Sequence, residues 1–156
     1  MTKAQAKFNL KFDIPKKPGD QMPGLPDQID ELSDGDLMSL YSEVVAWVNY
    51  AKAELVQAEI IEENALASLR QTEAMALLSQ WESSDQGETV TMAKAKRDAD
   101  PKVVECQSRH SEARAYRKLV DTVFDRGERI STVLSRELSR RISLAPNDRR
   151  TQWVAP

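Results

Sequence analysis

A single cysteine, Cys106, stands in a chain of 156 residues. No intrachain disulfide can form, so nothing in the sequence calls for an oxidising compartment. Large rings are scarce, since Phe, Trp and Tyr together supply 6% of the chain. The hydrophobic share reaches 40% only because seventeen of those residues are Ala, which leaves few bulky side chains to fill a layered globular interior. The five glycines are scattered singly, with no phosphate-cradling loop among them. No apolar run approaches the roughly 18–20 residues of a membrane span, and the opening MTKAQAKFNLKF lacks the apolar core of a secretory leader. These absences point to one small, soluble, cytoplasmic domain that is helical and well solvated.

Charge is abundant, at 30% of residues, and unevenly placed. Residues 1–93 hold 7 Lys and Arg against 16 Asp and Glu, whereas residues 94–156 hold 15 against 9. The net charge of -3 is therefore the remainder of an acidic half and a basic half. The two halves can pair with each other, or the basic half can face an anionic partner such as nucleic acid.

Three regions follow along the chain. Residues 1–32 read as an extended arm and Pro/Gly linker. Within them Phe8, Leu10, Phe12 and Ile14 alternate with polar residues, giving a strand pattern at 7–14. With no second strand-like run, that segment either pairs with another chain's edge or docks its apolar side chains on a helix. Residues 33–145 read as a helical hairpin. Ser33 and Asp36 have capping-box spacing, and Leu37, Tyr41, Val44, Val48, Ala51, Leu55 and Ala58 recur in alternating steps of four and three. The repeat resumes at Ala65, Leu69, Thr72 and Ala76 after Glu62 interrupts it. A second flank, including Trp47 and Trp81, widens this face.

Ser83–Gly87 reads as a turn, Thr89–Ala99 as a short helix, and Asp100-Pro101 as the start of a last long helix. That helix carries Val103, Cys106, His110, Ala113, Val120, Val123, Phe124, Ile130, Leu134, Leu138 and Ile142. Gly127 lies inside it and implies either close approach of another backbone or a bend. Residues 146–156 form a basic tail. The fold class expected is all-α: a long antiparallel, coiled-coil-like hairpin with an extended N-terminal arm. Two helices with so few large side chains make a thin body, which predicts completion by other copies. Phe8, Leu10, Phe12, Leu37, Tyr41, Val44, Val48, Leu55, Val120, Phe124, Leu134 and Leu138 are the candidate residues of that homo-oligomeric interface.

Catalytic chemistry is hard to assemble from this inventory. Cys106 and His110 stand one helical turn apart, but a structural zinc needs about four ligands, and a Cys-His nucleophile needs a cleft and an oxyanion hole. Glu62 and Glu63 read as solvated carboxylates, and no Glu-x-x-His dyad is present. The chain reads as non-enzymatic, with no metal and no cofactor. Its basic residues are more informative. Lys94, Lys96 and Arg97 cluster before the last helix, Arg136, Arg140 and Arg141 lie near its end, and Arg149, Arg150 and Trp153 follow Pro146. Arginine beside an aromatic suits a single-strand platform, with phosphates on guanidinium groups and a base on the ring. The same trio suits a protein-docking tail.

The Asp98-Ala-Asp-Pro-Lys-Val103 restart and the Leu134-Ser-Arg-Glu-Leu-Ser-Arg-Arg141 ending, in this layout, resemble small all-helical proteins of tailed phages. The nearest functional class is the UvsY-type recombination mediators, with the resemblance spanning residues 34–142. Ala99-Asp100, Val103 and the basic final helix carry it, while the arm and the tail fall outside it. It implies a ring-like helical oligomer in the host cytoplasm that binds single-stranded DNA. It also implies partnership with a recombinase or a single-strand-binding protein. The alternative is a structural or regulatory assembly protein, a virion component or an inhibitor of a host protein, without nucleic-acid binding.

Overall fold

The computed structural model describes residues 14–83 and 89–144. They form a 3-10 turn at Ile29–Glu31 and three helices, α1 (Asp34–Ser83), α2 (Val90–Asp98) and α3 (Pro101–Leu144). The all-helical expectation is met, and no strand occurs among the described residues. Phe8, Leu10 and Phe12 of the arm, the connection 84–88 and the tail from 145 onward lie outside the described residues.

The helix starts follow the local chemistry. Ser33 Oγ accepts the Asp36 backbone N–H at 3.1 Å and donates its hydroxyl to Asp36 Oδ2 at 2.6 Å. A Glu would reach back to the Ser33 backbone; the shorter Asp closes on the hydroxyl instead. At α3, Asp100 Oδ1 accepts the Lys102 N–H at 2.8 Å while Pro101 takes the first helical position, where its missing N–H costs nothing. α2 begins without such help, as Thr89 makes no side-chain cap bond.

The chain divides into two compact units, each containing part of α1 and part of α3. In the first, which takes the described residues up to Lys52 and from Val123 on, Leu37, Val44, Ile130 and Leu134 form the core. Tyr41, Val48 and Leu138 pack around them. Each large side chain so buried contributes about 1.5–3 kcal/mol. Met22, Ile29 and Leu32 pack on the same core, so the segment before α1 shares its interior with the helices. Gly127 lies where the helices meet: an added Cβ would stand 2.9 Å from Val48 Cγ2 and 3.3 Å from Met22 Sδ. Close approach, rather than a bend, accounts for this glycine.

In the second unit, Ala53–Thr122, the core is Leu69, Ala76 and Val103 with Cys106 beside them. Thr72 Oγ1 lies 3.5 Å from Cys106 Sγ. Glu62 departs from the solvated position that its sequence neighbourhood suggests. Its side chain is only 19% exposed and receives Arg117 of α3, itself 28% exposed. Glu62 continues the four-three repeat of α1, so the apparent interruption is a seam position filled by an ion pair.

Nine of the twelve candidate interface residues lie among the described residues. Leu37, Val44, Leu55 and Leu134 are buried within a single chain. Tyr41, Val48, Val120, Phe124 and Leu138 are half-buried there, with Lys52 Nζ 4.7 Å from the centre of the Phe124 ring. The fully buried members thus contribute to packing within one chain.

Candidate nucleic-acid interface

The basic residues of α3 separate into an inward and an outward set. The inward set sits at seam spacing: Arg117 and Arg141 continue the repeat through Val103, Ala113, Val120, Gly127 and Leu134. Arg117 pairs with Glu62. Arg141, with its side chain 17% exposed, donates from Nη1 to the Leu32 carbonyl at 2.7 Å and to Asp34 Oδ1 at 2.9 Å. Its Nη2 donates to the carbonyls of Ile29 at 2.9 Å and Asp30 at 3.3 Å, and its Nε to Glu137 at 2.8 Å. The fork of donors on one guanidinium suits this role, since a lysine ammonium could not hold so many fixed acceptors at once. Arg141 therefore fastens the turn before α1 to the end of α3.

The outward set is Arg126, Arg129, Arg136 and Arg140, at spacings that place all four on one exposed face of α3 within the first unit. Val133 lies between them on that face. Arg129, Val133 and Arg136 border a shallow depression with Asp125, Glu128 and Thr132. Along the axis the four arginines span about 21 Å at 1.5 Å per residue. Arg126, Arg129 and Arg136 form no salt bridge among the described residues. Arg140, 53% exposed, donates from Nε and Nη2 to the two Glu137 oxygens, each at 2.7 Å.

Glu137 is thus held by two arginines. The hydrogen bonds from Arg140 and then Arg141 pull its carboxyl down to about 2, below the ordinary 4.5. Arg140 and Arg141 are pushed up in turn, each first by its hydrogen bond to Glu137. In the second unit, burial and then the Glu54 carboxylate raise the Tyr116 phenol, whose hydroxyl meets Glu54 Oε2 at 3.4 Å.

Of the nine residues first assigned to nucleic acid, Arg136 and Arg140 lie together on the outer face of α3. Arg141 lies inward, engaged by the turn before α1. Lys94, Lys96 and Arg97 are on α2 in the second unit, where Arg97 pairs with Asp98. Arg149, Arg150 and Trp153 lie outside the described residues. Arg126 and Arg129 complete the face, and their three-four spacing to Arg136 and Arg140 was the signal in the sequence. Cys106 and His110 are both half-buried, and among the described residues no group of three or more His, Cys, Asp or Glu is placed to hold a metal. Among the same residues, no helix is long and apolar enough to cross a membrane. No protein-family model, curated protein or solved structure matches the chain.

Proposed function

We propose that this chain is a non-enzymatic helical protein that binds single-stranded DNA along the outer face of α3, as a recombination or replication accessory of the mediator type. The observation that carries the reading is the alignment of Arg126, Arg129, Arg136 and Arg140 on one exposed face, three of them without a counter-ion among the described residues. Arginines in a row along a helix neutralise successive phosphates and release their condensed counter-ions, which binds a strand with little sequence preference. Assembly of copies and contact with a recombinase or single-strand-binding protein belong to the same proposal. Exposed Val56, Ile61 and Met75 in the second unit supply apolar surface for such contacts.

A titration of labelled oligodeoxythymidylate tests it. With three to four phosphates neutralised, affinity falls by roughly 20- to 50-fold between 50 and 200 mM salt. No binding at the lower salt overturns the reading.

A second reading has its own observation: Arg117 and Arg141 are turned inward onto Glu62 and Asp34. If the rest of the basic half serves protein contacts as well, the chain is a structural or regulatory assembly protein. The chain then shows no DNA binding, and charge reversal at Arg129 and Arg136 alters assembly or partner docking alone.

A further inference from the structure

Building on the single-stranded DNA reading, we infer that the α3 face recognises the phosphodiester backbone alone and does not read or stack the bases. Between the arginines the face presents Val133, with Thr132 alongside, and no ring. The described rings of the first unit are engaged elsewhere. Trp47 is buried, with Tyr50 edge-on to it at 5.8 Å between ring centres. Tyr41 packs against the Leu37 and Leu134 cluster. Phe124 is half-buried, with the Lys52 ammonium over its face. A single-strand platform of the usual kind alternates cations with exposed aromatics, and each stacked base contributes affinity through its π-face. The convex side of one helix offers charge without that second component. Selectivity therefore comes from the charge and flexibility of the strand, so its bases are dispensable.

The test compares two fluorescent probes of equal length, oligodeoxythymidylate and the same strand made fully abasic, on the full chain at about 50 mM salt. Backbone recognition predicts affinities within threefold of each other, and an equal loss for both probes in the Arg129→Glu, Arg136→Glu double variant. Removing a stacked base from an aromatic platform would instead weaken binding by roughly 5- to 150-fold per base. A loss of fivefold or more for the abasic probe overturns the inference while leaving the DNA reading in place. If that loss disappears in Trp153→Ala, the base contact belongs to the tail, and the conclusion that the bases are dispensable to the protein is overturned. Failure of both probes to bind removes the DNA reading itself, and this inference with it.

Discussion

Arg117 of α3 meets Glu62 of α1 through Nε and Oε2, at the one position of the α1 seam repeat that carries a carboxylate. An ion pair among apolar neighbours contributes less net stability than its Coulomb attraction suggests, because both charges were solvated before folding. Its strength is discrimination: any other pairing of α1 with α3 leaves each charge without its partner.

Truncation of one member therefore costs more than replacement of both. Glu62→Ala leaves the Arg117 guanidinium without its acceptor and is expected to lower stability by about 1–3 kcal/mol. Glu62→Leu with Arg117→Leu recovers most of that loss. A double-mutant cycle of Glu62→Leu, Arg117→Leu and the two together, followed by urea unfolding, measures the coupling, and a loss in the double variant equal to the sum of the two single losses would show that the pair is uncoupled.

Gly127→Ala sets two effects against each other. Alanine gains about 1 kcal/mol in helix propensity, but its Cβ would meet Val48 Cγ2 at 2.9 Å. The valine side chain is short and stiff, so the helices must separate, at about 1–3 kcal/mol. A net loss is expected, relieved when Val48→Ala is added to the same chain. Stabilisation by the single Gly127→Ala change would show that the helices do not depend on this close approach.

Acid stability should bear the signature of Glu137. Its folded carboxyl lies at about 2, below its ordinary 4.5. The sign is that of a depressed acid: its contribution is present above the unfolded value and lost as pH falls from about 4.5 towards 2. Glu137→Gln should flatten this part of the pH–stability profile, followed by the thermal midpoint at stepped pH. An unchanged acid limb in the variant would assign the loss to other groups.

The same substitution should act on binding with the opposite sign. On the proposed DNA-binding reading Glu137 competes with phosphate for Arg140, so Glu137→Gln is expected to free a fourth arginine on the outer face and to strengthen binding to oligodeoxythymidylate. Arg136→Ala removes one phosphate contact and lowers the magnitude of the salt slope by about 0.7. Anisotropy titrations at several salt concentrations follow both changes.

Much of the architecture was legible in the sequence because it rests on periodicity and end signals. The four-three repeat from Leu37 to Ala76, the Ser33–Asp36 cap and the Asp100-Pro101 start are local, and the structure preserves all of them. The candidate site was legible only in part. A count of basic residues grouped Arg140 with Arg141, which are adjacent in the chain, but a step of about 100° per residue turns neighbours to different faces. One lies outward, bonded to Glu137, while the other grips the carbonyls of Ile29, Asp30 and Leu32.

The sequence by itself determined that the chain is helical, where its helices begin and which stripe of each is apolar, since these depend on propensity, caps and spacing within a few residues. Only the tertiary structure decided what those stripes meet. It closed the seam inside one chain, filled the Glu62 position with a guanidinium from 55 residues away, and set Gly127 against Val48. It also divided the basic residues of α3 between an internal clasp and an exposed face. The physical reason is that a charge or a glycine has no fixed meaning along the chain: its contribution depends on the surface brought opposite it, and that is chosen by the packing of the whole unit.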